Sequence, residues 1–289
     1  MATPRDSQRE QPSTYFVPDR SNKEEITRLT IQDRMLTASM GGVLPEQPDP
    51  GQFQRVLDSG CGTGGWLIEV AKQYPTIPHL VGVDISNRMI EYAQAQAKAA
   101  NVSERVEFHT MDSLRQFTFP DGFFNLVNQR LGLSFVRTWN WLGLLNEFGR
   151  ITRPGGVIRL TEAEMVDSTS AGLTRREQLL LQAFHQAGHF FVPQPDGITR
   201  ELVRLLQHYN LQNIQTRVHR LEYRAGTEQG RLFAENMAHG FHTLKPFIQK
   251  WAILPDDYDA LIQQTVNEMQ QPDFVATWPL LTVWGTLPD

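Results

Sequence analysis

Apolar residues between positions 52 and 165 form short runs, which alternate with longer stretches whose apolar residues have helical spacing. The short runs predict five strands, at 53–58, 79–84, 105–110, 123–128 and 157–162. The longer stretches predict helices at 63–73, 87–100 and 138–150. Because strands that alternate with helices build βαβ units, the pattern predicts a mostly parallel sheet with helices on both faces.

The flanking parts of the chain have different patterns. A polar tail is expected at 1–14, and amphipathic spacing predicts an N-terminal helical lid at 15–42. Further along, helices are expected through 171–209, with a break near Pro193 and Pro195, and through 228–270, and strands at 213–224 and 274–285. We therefore expect an α/β core at 52–165. A helical cap and the final strands of a seven-stranded sheet should follow at 166–289.

Composition and charge narrow the possible partners. The chain has 289 residues, with 27 Lys and Arg against 32 Asp and Glu, and a formal net charge of -5. Proteins that bind nucleic acid usually have a basic excess or a basic face, so no nucleic-acid partner is expected. The chain has a single cysteine, no signal-peptide apolar region and no apolar run that could span a bilayer. These features predict a cytoplasmic protein without a membrane partner, and they leave the oligomeric state open.

The segment RVLDSGCGTGGW, residues 55–66, joins the first predicted strand to the first helix of the alternation. Gly60, Gly62 and Gly65 satisfy the G-x-G-x-x-G spacing of dinucleotide sites. Asp58, two residues before the first glycine, would repel a pyrophosphate but would attract a positively charged ligand. The turn alone therefore leaves both a dinucleotide and a cationic ligand open.

Two more carboxylates follow the next strands. Asp84 ends the second predicted strand, where a carboxylate can accept hydrogen bonds from ribose hydroxyls. Asp112 ends the third, where it could accept a hydrogen bond from an adenine amino group, with Met111 and Ser113 beside the ring. Together these positions favour a ribose-bearing cofactor that contains adenine.

Four segments, in this order and spacing, resemble the motifs of class I S-adenosylmethionine-dependent methyltransferases. They are VLDSGCGTG (56–64), VGVDIS (81–86), MDS (111–113) and RPGG (153–156). The resemblance covers roughly residues 52–162. It implies a Rossmann-like fold with S-adenosylmethionine as cofactor, whose sulfonium and ammonium cations suit Asp58.

The resemblance also implies where the cofactor lies. In the family the first motif cradles the methionine and ribose part, the counterpart of Asp84 holds the ribose, and the counterpart of Asp112 holds the adenine. The residues expected to bind the cofactor are Asp58, Gly60, Cys61, Gly62, Asp84, Ile85, Met111, Asp112, Ser113, Asn128 and Gln129.

A shorter resemblance concerns the N-terminal segment STYFVPDRSNKEEITRLTIQDRML, residues 13–36. This segment is similar to a pattern in the fungal methyltransferases that regulate secondary metabolism. It implies a small-molecule acceptor and, more narrowly, a secondary metabolite.

Methyl transfer depends mainly on alignment, and a base is needed only where the acceptor arrives protonated. The candidate catalytic residues are His185, His189, Glu162 and, on the same strand end, Glu164. Tyr15 and Arg130 are expected near the substrate. The histidines lack the ordered carboxylate or cysteine partners of a metal site, so no metal is expected.

These observations predict an S-adenosylmethionine-dependent methyltransferase that acts on a small molecule by direct methyl transfer. One alternative is an NAD(P)-dependent oxidoreductase, which the glycine spacing permits. A second alternative is a non-catalytic regulator that keeps the methyltransferase fold.

Overall fold

Parallel strands alternate with helices from Arg55 to Ala163, as the sequence pattern predicts, except that no helix separates the third strand from the fourth. The computed structural model describes residues 13–17 and 23–288. The first strands are β1 (Arg55–Ser59), β2 (His79–Asp84), β3 (Val106–Thr110), β4 (Phe124–Arg130) and β5 (Thr152–Ala163). The helices before and between them are α1 (Lys23–Ser39), α2 (Gly65–Gln73), α3 (Asn87–Ala99) and α4 (Trp141–Ile151).

The rest of the described chain adds helices and completes the sheet. The added strands are β6 (Asp167–Ser168), β7 (Gln212–Arg224) and β8 (Val275–Thr286). The added helices are α5 (Ala171–Gln186), α6 (Thr199–His208), α7 (Glu228–Thr243), α8 (Lys245–Trp251) and α9 (Tyr258–Glu268). None of the described helices is both long and apolar enough to cross a bilayer.

One sheet contains all of these strands. Its order is β3-β2-β1-β4-β5-β8, and β7 pairs with the other side of β8. The strands β1 to β5 are parallel, whereas β8 runs antiparallel to both β5 and β7. The predicted α/β, Rossmann-like, mostly parallel sheet of seven strands is confirmed. The two-residue strand β6, which pairs with β8, is an addition that the pattern did not predict.

The two faces of the sheet bury separate apolar clusters. Val56 and Leu57 are adjacent in β1 and fully buried, but they belong to different clusters because successive strand residues point to opposite faces. The cluster with Val56 is formed with α2 and α3. The cluster with Leu57 includes α4 and the cap helices, so the cap and the sheet share one core.

The N-terminal helix packs against both parts of the molecule. α1 contacts α2 next to the sheet and α7 in the cap, and α5 packs against α8 and α9. The side chain of Arg34 points outward and pairs with Glu228 on α7 at 3.8 Å. This arrangement places α1 between the core and the cap.

Some predicted boundaries differ from the structure. α2 begins at Gly65 rather than at 63, because Gly64 has a left-handed backbone with φ 74° and precedes the helix as its N-cap. The predicted break near Pro193 lies between α5 and α6. Residues 1–12, 18–22 and 289 lie outside the described residues, so only positions 13 and 14 of the predicted polar tail are described.

Candidate active site

The glycine turn after β1 is built from backbone that other residues rarely adopt. Gly60, Gly62 and Gly64 have φ values of 68°, 52° and 74°. A β-carbon at Gly62 would meet no atom within 4 Å, whereas one at Gly60 would lie 2.8 Å from the ring of Phe135. The turn therefore presents bare backbone to open space at Gly62, which lets a ligand approach closely.

Asp84, at the end of β2, is held against this turn. Its Oδ2 accepts a 3.0 Å hydrogen bond from the Gly62 amide, and its Oδ1 accepts one of 2.9 Å from the Ser86 amide. Ser86 in turn caps α3 by accepting a hydrogen bond from the Met89 amide. The carboxylate thus has a defined position between the glycine turn and the start of α3.

Asp112 and Ser113 follow β3 at the same edge of the sheet. Asp112 Oδ1 accepts a 2.9 Å hydrogen bond from the Leu114 amide. Ser113 Oγ accepts a 2.9 Å hydrogen bond from Ser59 Oγ, at the end of β1. These contacts join the ends of β1 and β3, as expected where the carboxyl ends of parallel strands meet.

Asp58 is almost fully buried in β1, with 4% of its surface exposed. Burial raises its pKa to about 7, although the charge of Arg130 and the hydrogen bond from Asn128 act in the opposite direction. Arg130, at the end of β4, is ion-paired with Asp33 of α1 and lies over the ring of Trp66. A buried carboxyl group therefore stands beside a charged pair, at the same edge of the sheet.

A cavity of about 420 Å³ opens along this edge. Ten of the residues that were expected to bind cofactor or substrate line it: Tyr15, Asp58, Gly60, Cys61, Gly62, Asp84, Ile85, Asp112, Ser113 and Arg130. Residues from α1, α5 and α7 line it as well. One cavity therefore joins the strand ends to the N-terminal helix and the cap.

Three expected cofactor contacts lie outside this lining. Asn128 is fully buried behind Asp58, to which its side chain donates a hydrogen bond. Gln129 is fully buried beside the turn at Gly132. Met111 packs at the edge of the core, with its sulfur 4.0 Å from Thr118 Oγ1. The cofactor contacts expected of these three residues stay predictions.

The expected catalytic residues Glu162, His185 and His189 also lie outside the cavity lining. Glu162 is fully buried, accepts a 3.0 Å hydrogen bond from the Leu133 amide, and has its pKa raised by burial to about 8. His189 is buried against Phe184 and Phe247, and burial lowers its pKa to about 4.

His185, in the last turn of α5, is likewise not part of the cavity lining. None of these three residues lines the cavity, and the base role expected of Glu162, His185 and His189 stays a prediction. Glu164, the other carboxylate after β5, does line the cavity, where it accepts a 2.9 Å hydrogen bond from Thr199 Oγ1. Among the residues that the structure describes, no group of His, Cys, Asp and Glu could hold a metal ion.

The N-terminal segment forms part of the cavity wall. Phe16 donates a 3.0 Å backbone hydrogen bond to the Ser134 carbonyl, and Thr14 Oγ1 donates one of 2.5 Å to the Phe135 carbonyl. The Tyr15 hydroxyl donates a 2.5 Å hydrogen bond to Glu25 of α1. Burial, followed by the charge of Glu25, raises the pKa of Tyr15 well above its usual value. Residues 13–16 therefore form a strap in the cavity wall, hydrogen-bonded to residues 134 and 135 and to Glu25.

The sequence predicts that the helix at 28–34 lies near the site, and its polar residues Arg28, Gln32 and Asp33 do line the cavity. Sequence reasoning missed the polar cavity residues of the cap, which are Arg176 and Glu177 on α5 and Asn236 on α7. Arg28 pairs with Glu25 at 2.6 Å and donates a 2.9 Å hydrogen bond to Gln32, and all three are buried. Their spacing of three and four residues along one helix was the available signal, but polar residues on one helix face usually indicate solvent.

The sequence is similar to those of known methyltransferases over part of its length. A sequence family described as a methyltransferase domain matches residues 56–156. A sterol 24-C-methyltransferase from Gibberella zeae is 33% identical over 145 residues, which is 50% of this chain and 34% of that protein. The 27-O-demethylrifamycin SV methyltransferase from Amycolatopsis mediterranei is 31% identical over 151 residues, 52% of each protein. The chain thus spans only about a third to a half of these curated relatives.

Solved structures share the fold across most of the chain. The 4+2 cyclase SpnF aligns with a TM-score of 0.52 at 17% identity, over 90% of this chain and 94% of that one. Geranyl diphosphate methyltransferase aligns with a TM-score of 0.50 at 14% identity, over 92% of each chain. At such identities the likeness concerns the fold alone. Residues 56–156, about a third of the chain, are thus similar to the methyltransferase-domain family.

Proposed function

We propose that this protein is an S-adenosylmethionine-dependent methyltransferase that acts on a small molecule. The observation that carries the proposal is the single cavity that joins the glycine turn, Asp84 and Asp112 to an apolar chamber under the cap. Such a cavity can hold a nucleoside cofactor at the strand ends and an acceptor beneath the cap. Fold alone would not carry the proposal, since one protein of this fold is described as a cyclase.

The residues at the strand ends fit the cofactor. Asp84 can accept hydrogen bonds from the two ribose hydroxyls, and Asp112 can accept one from the adenine amino group. Gly62 leaves open space beside the backbone for close approach. Asp58 and the Arg130–Asp33 pair provide both signs of charge for the amino-acid end of the cofactor.

The protein's part in the reaction is to bind, align and exclude water. S-adenosylmethionine supplies an activated methyl group, so that the acceptor needs correct placement more than chemical activation. The strap at 13–16 and helices α1, α5 and α7 enclose the cavity. Glu164 is the carboxylate on the cap side that we propose as a base where the acceptor must lose a proton.

A small acceptor fits the enclosure of the cavity, which is within the size range of small-molecule sites. We propose a secondary metabolite more narrowly. The N-terminal resemblance supports this, as does similarity to a methyltransferase of the rifamycin series. A cytoplasmic location is part of the same proposal, supported by the single cysteine.

Two measurements test the proposal. Calorimetric titration with S-adenosylmethionine and, separately, with NADPH should show binding of the first alone. Binding of NADPH instead would favour the oxidoreductase. Transfer of a tritiated methyl group from S-adenosylmethionine to a small-molecule extract should then yield labelled product. Cofactor binding with no labelled product from any extract would favour the non-catalytic regulator.

A further inference from the structure

Glu164 is a carboxylate on the cap side of the cavity. It follows the last residue of β5 and lines the cavity as a half-buried residue, so that a ligand in the cavity can reach it. Its Oε1 atom accepts a 2.9 Å hydrogen bond from Thr199 Oγ1, at the start of α6. Its backbone amide donates a 2.9 Å hydrogen bond to the Pro279 carbonyl, and its carbonyl accepts one of 3.1 Å from the Trp278 indole. Contacts with α6 and β8 thus fix the position of this carboxylate at the cavity surface.

The charge of Glu164 is not compensated within the described part of the protein. In residues 13–17 and 23–288, no basic side chain forms an ion pair with it. The basic side chains of the described lining are three arginines, and each pairs with another carboxylate: Arg28 with Glu25, Arg130 with Asp33, and Arg176 with Glu177. An opposite charge stabilises a carboxylate that is partly removed from water. The cap side of the cavity therefore has a negative charge that a cationic ligand group would compensate.

Three further carboxylates of the lining lie near the ends of β1, β2 and β3, namely Asp58, Asp84 and Asp112. The proposed function assigns these three to the cofactor. Glu164 follows β5, which is two strands from β1 in the sheet order, so that strand spacing alone separates it from Asp58 by about 10 Å. A cofactor held at the glycine turn therefore leaves the charge of Glu164 to the acceptor.

The aromatic rings of this chamber also suit an ammonium group. The ring centre of Phe184 lies 5.2 Å from that of Phe190 and 5.7 Å from that of Phe16, and all three residues line the cavity. Trp278, whose indole donates to the Glu164 carbonyl, lines it too. Aromatic faces attract ammonium groups, and apolar surroundings strengthen an ion pair because they screen it less than water does. A carboxylate in a chamber with aromatic walls is therefore a combination that binds an organic ammonium.

We propose that the methyl acceptor carries a positively charged amino group, which forms an ion pair with Glu164 in the aromatic chamber. A hydroxyl group can donate a hydrogen bond to the same carboxylate, but it leaves the charge uncompensated. Where the nitrogen of this group is the atom that is methylated, its proton must first leave, and Glu164 is the carboxylate proposed above to take it. This inference rests on the proposed methyltransferase function, because it names the class of acceptor for the same cavity.

Three naphthalene compounds of similar size test the charge of the acceptor. At pH 7, 2-naphthylmethylamine is cationic, 2-naphthalenemethanol is neutral and 2-naphthoate is anionic. Calorimetry measures their binding to protein saturated with S-adenosylhomocysteine, which lacks the sulfonium charge that would repel the amine. The amine should bind roughly threefold to tenfold tighter than the alcohol, and 2-naphthoate should bind most weakly. Binding of the alcohol as tight as that of the amine, or no binding of any of the three, would overturn the proposal.

Glu164→Gln locates the effect, because the amide keeps the shape of the side chain and can still accept from Thr199 but has no charge. In this variant the amine should lose its advantage over the alcohol, while binding of the alcohol should change by less than roughly twofold. Glu104→Gln is the matched control. It removes an exposed carboxylate from the loop before β3, outside the cavity lining, and should keep the preference for the amine.

Two further results bear on the variant. A folded Glu164→Gln protein that still prefers the amine would contradict the ion pair. Weaker binding of S-adenosylmethionine by the variant, with the preference for the amine unchanged, would assign Glu164 to the sulfonium and overturn the proposal. If the variant does not fold, wild-type protein in about 0.5 M NaCl decides, because added salt screens an ion pair and should shrink the advantage of the amine.

The titration with S-adenosylhomocysteine alone separates the two proposals. If that compound does not bind the wild-type protein, the proposed methyltransferase function fails. If it binds and the amine is not preferred, only the acceptor proposal fails.

Discussion

The Asn128 side chain donates a 2.7 Å hydrogen bond to Asp58 Oδ1, and Arg159 Nη1 donates a bond of the same length to Asn128 Oδ1. Arg159 is itself fully buried and pairs with Glu46 at 2.6 Å. A chain of buried polar groups thus holds the Asp58 carboxyl group in the cavity wall from behind. Asn128 therefore positions Asp58, and the cofactor contact that its place at a strand end predicts stays a prediction.

Asp58 should make cofactor binding depend on pH. Its pKa of about 7 means that the carboxyl group is about half protonated in the ligand-free protein at neutral pH. A nearby cation favours the charged form, so binding should release roughly half a proton at pH 7, and affinity should rise between pH 6 and pH 8. Calorimetry in buffers of different ionisation enthalpy measures this release.

Asp58→Asn is the test of that assignment, because the amide keeps the shape of the side chain without its titration. The variant should bind S-adenosylmethionine more weakly, with little proton release and a flat pH profile. The same proton release in the variant and the wild type would assign the titration to another group.

The glycine turn should tolerate no side chain at Gly62 when the cofactor is bound. Gly62→Ala adds a methyl group to open cavity space, and the φ of 52° costs about 1–2 kcal/mol of stability in any residue with a β-carbon. Affinity for S-adenosylmethionine should fall by roughly a hundredfold, since close backbone approach is blocked.

Gly122→Ala is the matched control for this strain. Gly122 has a φ of 64° and no atom closer than 3.7 Å to an added β-carbon, and it lies outside the cavity lining. It should lose a similar amount of stability in urea denaturation and keep full affinity. Equal affinities in the two variants would mean that the turn does not approach the cofactor.

Asp84 should contribute strongly to cofactor affinity. Each hydrogen bond to a charged acceptor contributes about 1.5–3 kcal/mol, so that Asp84→Ala should weaken binding by roughly tenfold or more. Asp273→Ala, which removes an exposed carboxylate from the loop before β8, should leave affinity unchanged. Titration calorimetry on both variants measures the difference, and wild-type affinity in Asp84→Ala would remove this residue from the site.

The cofactor end of the site could be predicted from the sequence because its residues lie at the ends of predicted strands. Asp58, Asp84 and Asp112 each follow or end an apolar run, and the carboxyl ends of parallel strands meet at one edge. The local sequence pattern was therefore enough to predict that these three residues lie together at the cavity. The strand order and the antiparallel final pair were not predicted from the sequence.

The acceptor end of the cavity could not be predicted from the sequence in the same way, because it depends on the packing of helices that are far apart in the chain. Arg176 and Asn236 are 60 positions apart in the chain and meet only because α5 and α7 line one cavity. Glu162 and Glu164 would share a face if the strand continued, but β5 ends at Ala163, and only Glu164, just beyond that end, lines the cavity. Spacing marks which residues end a strand but does not show which of them a later cap will cover.

Glu162 should affect stability rather than methyl transfer. Its pKa is about 8 in the folded protein against about 4.5 ordinarily, so the folded state binds the proton more tightly than the unfolded state. The free energy of unfolding therefore falls as pH rises from about 4.5 to about 8. Glu162→Gln should be more stable than the wild type at pH 8 by a margin that disappears near pH 4.

Denaturant unfolding of both proteins across this pH range measures the margin, and the transfer of labelled methyl to product measures activity. Activity should survive because Glu162 does not line the cavity. A variant that folds and binds cofactor but transfers no methyl group would support the catalytic role predicted from sequence.

The strap at 13–16 should close over bound cofactor, which is the behaviour of the lid predicted at 15–42. Three hydrogen bonds hold the strap in the structure. The Phe16 amide donates to the Ser134 carbonyl, the Thr14 hydroxyl to the Phe135 carbonyl, and the Tyr15 hydroxyl to the Glu25 carboxylate. Segments that close over ligands open readily without them, so the Phe16 amide should exchange faster in ligand-free protein. Adding S-adenosylhomocysteine should slow its exchange, while amides of α9 should not respond.

Tyr15→Phe removes one of these hydrogen bonds. It should speed exchange of the Phe16 amide in the ligand-free protein by roughly fivefold, the equivalent of one hydrogen bond. Exchange at Phe16 that is indifferent both to S-adenosylhomocysteine and to Tyr15→Phe would show a fixed wall and no lid.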